Sequence, residues 1–311
     1  MTTDGSVRVG SVRLPGPVMT ASGTAGHGAE LAPYMPLAEL GAVVVKSLAA
    51  YEWAGNPSPR VHPAGQGMIN AVGLQGPGVQ HWLQHDLPGL VATGARVVVS
   101  IWGRSVEDYR AAAQALAGVT GGPVAMEVNL SCPNLEGRKG IFAHDPDLSA
   151  EVIEATAVAG LPRWAKLSPN TDRVVDVARS VQQAGAEAVT LVNTLLGLVL
   201  DPATGRPALG AGGGGYSGAP LHAVAVRTVF DVHAALPDLP IVGAGGVGTA
   251  WDAAELLLAG ASAVQVGTAT FADPAAPIRV QRALLRWCTQ RGVSPAALSG
   301  LAHRGGLPPS R

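Results

Sequence analysis

Ile241-Val242-Gly243-Ala244-Gly245-Gly246-Val247-Gly248 is a short apolar run that breaks into glycines, and Thr249 after it is able to open a helix. One unit later Ala263-Val264-Gln265-Val266-Gly267-Thr268 repeats the arrangement. An apolar run of this length, closed by glycine, reads as a buried strand feeding a turn. Residues 250–258 between the two runs have helical periodicity, so the whole reads as strand, helix, strand in a parallel sheet. The same beat runs upstream. Candidate strands lie at 17–21, 42–46, 96–101, 124–130, 163–167, 188–192, 241–244 and 263–266, and helix-like segments at 106–116, 147–157, 172–183, 221–234, 250–258 and 275–291. Eight strands alternating with helices fit a closed (β/α)8 barrel, the TIM barrel of the α/β class, better than an open sheet.

Working outward, the amino end alternates as Val7-Arg8-Val9 and Val12-Arg13-Leu14 around Gly10-Ser11, which predicts a β-hairpin over 6–14. The barrel then covers about 17–291, followed by a tail at 292–311, and no linker or repeat divides the chain, so a single domain is expected. Two long stretches break the rhythm, 51–80 and 196–220, the second including Gly212-Gly213-Gly214-Gly215, which alone reads as a flexible loop. Both follow strand carboxyl ends, the face on which barrel enzymes build their sites.

The chain has 311 residues, with 21 Lys+Arg against 22 Asp+Glu and a net charge of −1. That balance, without a block of like charge, argues against nucleic acid or an acidic membrane surface as partner. Two cysteines far apart in the chain make neither a disulfide framework nor a cluster site. The first residues, MTTDGSVRVG, carry no apolar signal segment, and no run is long enough for a membrane span. A soluble cytoplasmic α/β protein is the expectation. Its 41 glycines are about twice the usual share.

The glycines after the seventh and eighth strands fall where barrels bind phosphate: backbone N–H groups come close, and a helix amino end follows. Gly243–Gly248 also fits G-x-G-x-x-G, but no acidic residue closes the next strand and too little chain remains for a dinucleotide fold. Glycines that serve only tight turns are the plain alternative. Asn129-Leu130-Ser131-Cys132-Pro133-Asn134 ends the fourth strand on an amide and a cysteine, which is nucleophile, general base or inert packing. Lys46 and Lys166 stand at strand ends, where an ammonium is costly unless used, and Lys139 is the only other lysine. A snorkelling side chain is the bland reading for each. Asn70, Asn129, Asn134 and Asn193 donate and accept together, as a ring with alternating N–H and C=O groups requires, although loop asparagine is ordinarily a turn residue. His81 and His85 share a helix face without the Glu of a zinc-protease motif, so no metal site is expected.

Taken in order, Ala21-Ser22-Gly23-Thr24, Val45-Lys46-Ser47, Asn70-Ala71-Val72-Gly73-Leu74, Asn129-Leu130-Ser131-Cys132-Pro133-Asn134, Lys166-Leu167-Ser168-Pro169-Asn170, Asn193-Thr194, Gly214-Gly215-Tyr216-Ser217-Gly218 and Gly243-Ala244-Gly245-Gly246-Val247 resemble the dihydroorotate dehydrogenases from about residue 5 to 290. The resemblance is to class 1, with cysteine as base, and within it to the B type. It implies FMN as cofactor, dihydroorotate and orotate as ligands, a homodimer, and a separate electron-transfer subunit with FAD and an iron–sulfur cluster that uses NAD. It implies that Gly245, Gly246, Gly267 and Thr268 hold the FMN phosphate near Gly218. Ala21, Ser22 and Gly23 line the flavin, with Lys46, Ser47, Ser100, Asn129 and Val192 also against it and Lys166 at its pyrimidine edge.

For the substrate it implies a carboxylate grip by Lys46, Asn70 and the backbone of Val72, Gly73 and Leu74. Asn129, Asn134, Asn193 and Thr194 meet the ring. Cys132 takes the C5 proton while hydride leaves C6 for flavin N5, and 135–142 forms a lid. A free thiol titrates near 8.5, so mildly alkaline pH suits this base best. The chain departs from the family at Ser100-Ile101-Trp102-Gly103, at Ala219-Pro220 and at His222-Ala223, which bears on flavin packing and on the partner surface. Other readings are a flavoenzyme for another dihydropyrimidine, a specialised paralogue, a sugar-phosphate barrel without redox chemistry, and a non-catalytic assembly protein.

Overall fold

The computed structural model describes residues 4–131, 133–134 and 140–307. Its centre is an eight-stranded parallel sheet: β1 (Val18–Thr20), β2 (Val43–Val44), β3 (Val97–Ile101), β4 (Ala125–Asn129), β5 (Arg163–Lys166), β6 (Ala188–Leu191), β7 (Ile241–Ala244) and β8 (Ala263–Val266). Each strand pairs with its neighbour in sequence, and β8 pairs with β1 through Val264↔Val18. The ring closes at a parallel bridge, Met19↔Ala42, where the Gly41 amide donates to the Val18 carbonyl at 2.8 Å. All eight strands fall inside the ranges expected from the sequence.

Alternate side chains of each strand point into the barrel. At its amino end Met19, Val44, Val98, Ala125, Trp164, Ala188, Val242 and Ala263 form one apolar cluster with Val7, Val9, Val12 and Leu14. Those four come from the hairpin Val7–Val9/Val12–Leu14, whose two arginines face outward while its apolar side is buried. The hairpin therefore plugs the barrel floor. Two residues further along the strands the interior turns polar, with Ser100, Glu127, Lys166, Thr190 and Gln265 all buried. Outward-facing Val97, Val99, Met126, Val128, Val189 and Val264 pack instead against the surrounding helices.

The helices Val106–Gln114, Pro146–Ala155, Val174–Gln183, His222–Ala235, Ala250–Ala259 and Ala276–Arg291 follow the predicted amphipathic segments. Caps fix their starts: Ser105 and Asp145 accept from amides of the first turn, and Thr249 with Asp252 forms a reciprocal capping box. Between β1 and β2 stands only the 3-10 turn Leu37–Glu39, in a segment punctuated by Gly26, Gly28, Pro33 and Pro36. Between β2 and β3 two helices, Val79–His85 and Leu87–Ala92, fill a crossover for which the sequence suggested only a shared face of His81 and His85.

The two irregular stretches differ most from expectation. Together they build a four-stranded antiparallel sheet in the order Leu195–Gly197, Gly214–Gly218, Gly67–Asn70, Val61–Ala64. The glycine run is thus partly strand. A Cβ on Gly214 would strike the Asn70 carbonyl, and one on Gly215 the Thr194 side chain, so the close approach of these segments requires bare backbone.

Candidate active site

A cavity of about 530 Å³ opens at the carboxyl ends of the barrel strands, within the range of small-molecule sites. Its floor is the polar middle of the barrel, and the four-stranded sheet lines one side. Ala21, Ser22 and Gly23 enter from the end of β1, Lys46 and Ser47 from the end of β2, and Asn129 and Lys166 from β4 and β5. Val192, Asn193 and Thr194 follow β6, Gly245 and Gly246 follow β7, and Gly267 and Thr268 follow β8. Asn70, Val72, Gly73, Leu74 and Gly218 come from the loop sheet and its edges. The structure thus gathers into one cavity nearly all of the site residues proposed from sequence.

Ser100 is the exception among the described side chains. It lies behind the wall, where its hydroxyl meets that of Ser47 at 2.8 Å. Cys132 lies outside the described residues, as do the side chain of Asn134 and 135–139 of the expected lid. Pro133–Asn134 and Gly140–Ile141, on either side of 135–139, pair antiparallel. Trp102 does not line the cavity: it is buried edge-on against Tyr51 and Trp53.

The amides form a connected row. Asn129 Nδ2 donates to Ser47 Oγ at 3.2 Å, and Asn193 Nδ2 reaches Asn129 Oδ1 at 3.4 Å. Asn193 Oδ1 accepts from the Thr194 amide at 2.9 Å. Tyr109 steadies the row by donating its hydroxyl to the Asn129 carbonyl at 2.7 Å. Across the cavity Asn70 Nδ2 donates to the Gly215 carbonyl at 3.2 Å, which ties one loop insertion to the other. Asn170, quoted in the motif without a role, fastens the rim by donating to the Thr194 carbonyl and accepting from the Leu196 amide, each at 2.9 Å.

At the far end Thr268 donates to Ser217 at 2.8 Å, and His222 holds the Gly245 carbonyl at 2.8 Å while its other ring nitrogen faces Glu255 at 3.2 Å. The lining carries the ammonium groups of Lys46 and Lys166 and, among the described residues, no carboxylate. Anionic ligands are favoured there. Burial, and then the Lys46 ammonium, hold the His27 imidazole below its ordinary value. Among the described residues no trio of His, Cys, Asp or Glu stands together as a metal site, and no helix is long and apolar enough to cross a membrane.

A family model described as Dihydroorotate dehydrogenase matches residues 6–287. The chain belongs to the dihydroorotate dehydrogenase family. A relative from Desulforudis audaxviator (strain MP104C), named the catalytic subunit of dihydroorotate dehydrogenase B (NAD(+)), is 44% identical over 97% of this chain and 98% of its own. One of the same name from Alkaliphilus metalliredigens (strain QYMF) is 42% identical over 92% of this chain and 94% of its own. A relative from Solibacter usitatus (strain Ellin6076), whose name gives the A (fumarate) type, is 41% identical over 95% and 97%. Within the family the greater likeness is to the B type.

The sequence reasoning missed three members of the site's foundation: Glu127, Thr190 and Gln265. Glu127 Oε2 accepts from Gln265 Nε2 at 2.7 Å and from Thr190 Oγ1 at 3.1 Å, and Lys166 Nζ stands 3.5 Å from Oε1. A signal was present, since Glu127 and Gln265 are polar residues inside apolar strand runs, as the lysines are.

Proposed function

We propose that this chain oxidises (S)-dihydroorotate to orotate in pyrimidine synthesis, an oxidoreductase acting on a CH–CH bond in the cytoplasm, with FMN as its flavin. The observation that carries the reading is one cavity with two ammonium groups, a row of amides and glycine turns at its phosphate end. The cavity suits FMN: the bare backbone of Gly245, Gly246 and Gly267 lines one end of it, a Cβ on Gly246 would strike His222, and Lys166 reaches the floor. Backbone amides of Gly245, Gly246 and Gly267, with the Thr268 hydroxyl, would hold its phosphate. Ala21, Ser22, Gly23, Ser47 and Val192 would line the ring, with Ser100 supporting Ser47. Lys166 would face the pyrimidine edge. When bound, the flavin supplies the hydride acceptor.

Lys46, Asn70 and the backbone of Val72, Gly73 and Leu74 grip the substrate carboxylate in this reading. Asn129, Asn134, Asn193 and Thr194 match the ring's alternating donors and acceptors and so orient it. Cys132 is the base that takes the C5 proton onto its sulfur as the C6 hydride departs. Charge balances, because one proton and one hydride leave and a C5=C6 bond forms. The names of the B-type relatives, catalytic subunits of an NAD(+)-linked enzyme, support a separate subunit that passes electrons to NAD. The FAD and iron–sulfur cluster of that subunit and a homodimer of this chain are taken from the resemblance to the family. The Solibacter relative supports fumarate as a second reading of the acceptor.

The test is anaerobic. The purified protein, yellow with bound flavin, should bleach on adding dihydroorotate and recover with its true acceptor when NAD with the partner subunit, fumarate and a quinone are offered in turn. A colourless protein that takes up no FMN would sink the proposal. Equal bleaching by dihydrouracil, which lacks the carboxylate, would refute the substrate.

A further inference from the structure

Beneath the cavity floor the barrel encloses a carboxylate that the reaction itself does not use. Glu127 is completely buried in β4, one inward position below Asn129. Its Oε2 is held by Gln265 of β8 and Thr190 of β6, while Oε1 has no hydrogen-bond donor among the described residues and faces the Lys166 ammonium at 3.5 Å. Lys166 in turn donates to Ser22 Oγ at 3.0 Å and to Gln265 Oε1 at 3.3 Å. Gln265 therefore gives its amide hydrogen to the carboxylate and takes one from the ammonium, which fixes its orientation and locks both charges into one geometry. A buried ion pair is weak evidence for stability, since desolvating two charges costs about what their attraction returns. A pair kept here, at the cavity floor, calls for another purpose.

We propose that Glu127 is a positioning residue for the flavin: it holds Lys166 at the pyrimidine edge and offsets its charge, which sets the reduction potential of the bound cofactor. This rests on the flavin reading above. A lone ammonium at that edge would favour the reduced, anionic ring strongly and slow the onward transfer of its electrons. With Glu127 behind it the floor carries no net charge, so the ammonium acts at short range through its direction rather than through excess field.

The experiment compares the FMN-loaded wild type with Glu127→Gln, Lys166→Gln and the double variant, by reduction potential and by thermal unfolding after flavin removal. Glu127→Gln is expected to shift the oxidised–reduced equilibrium at least tenfold toward reduced flavin, about 30 mV more positive for two electrons. Lys166→Gln, which strands the carboxylate, is expected to melt below the double variant, in which no charge is left unpaired. Glu127→Asp should return the potential toward the wild-type value. An unchanged or more negative potential in Glu127→Gln with flavin still bound overturns the proposal. If Glu127→Gln fails to fold, the stability cycle decides: a double variant no more stable than Lys166→Gln overturns it. A wild type that binds no flavin refutes instead the function on which it rests.

Discussion

Replacing Gly246 by alanine separates the two readings of the glycine-rich turn, ligand cradle or mere turn. Its φ is +68°, and an added Cβ would lie 2.6 Å from the Cβ of His222 and 3.0 Å from that residue's N and Cα. Left-handed backbone costs a residue with a Cβ about 1–2 kcal/mol, and overpacking against the start of a helix costs about 1–3 kcal/mol more. The His222 bond to the Gly245 carbonyl leaves the turn little room to yield. A loss of about 2–5 kcal/mol follows. If 2 kcal/mol of it is relieved by drawing the turn away from the phosphate, the Kd for FMN rises about thirtyfold. Gly248, in the same motif, is the control, because its Cβ would meet nothing nearer than Asp252 Oδ2 at 3.9 Å. Gly248→Ala should change stability by less than about 1 kcal/mol. Fluorescence titration of the flavin-free protein and its melting curve read both quantities. The steric argument is wrong if Gly246→Ala binds FMN within threefold of wild type and melts with Gly248→Ala.

Burial pushes the Cys288 thiol up to about 11, so at pH 8 only about one molecule in a thousand carries its thiolate; a disulfide reagent should find no more than one fast thiol in the native protein and two in denaturant, and two fast native thiols would contradict the burial. Cys132→Ser should slow flavin reduction by dihydroorotate by orders of magnitude at neutral pH with FMN retained, and an unchanged stopped-flow rate would remove Cys132 as base. Lys46→Met should weaken orotate binding, measured by flavin absorbance, far more than it weakens FMN retention. Leu14→Ala empties a fully buried position in the hairpin plug and should cost about 2–5 kcal/mol in a denaturant melt while leaving the Kd for orotate unchanged.

The barrel was readable because each strand is a short apolar run bounded by glycine or a polar residue, and inside a barrel both faces of a strand are buried. The hairpin was readable from its alternation of valine and arginine. The loop sheet was not, because its two central strands read Gly-Met-Ile-Asn and Gly-Gly-Tyr-Ser-Gly, glycine-bearing runs without hydrophobic alternation; they are ordered by pairing across more than a hundred residues of chain. Lys166 was legible as a costly charge, yet its counter-ion was not, because Glu127, Thr190 and Gln265 lie on different strands and meet only when the ring closes. The Ser100–Ser47 contact was invisible for the same reason, so Ser100 was expected in the cavity and stands one bond behind it.

Loops on a barrel rim are commonly treated as interchangeable parts, each able to be lengthened, trimmed or grafted without regard to the rest. The antiparallel sheet removes that modularity here. The insertion after β2 and the one after β6 each form a two-stranded ribbon, and the ribbons join edge to edge, Gly215 opposite Asn70 and Tyr216 opposite Ile69. A lone two-stranded ribbon is marginally stable, so neither brings a stable fold to a new scaffold by itself. A chimera that borrows one of them from a relative must borrow the other, and an insertion tolerated in one is tolerated only where the other leaves its edge unpaired. Specificity in this molecule changes two loops at a time.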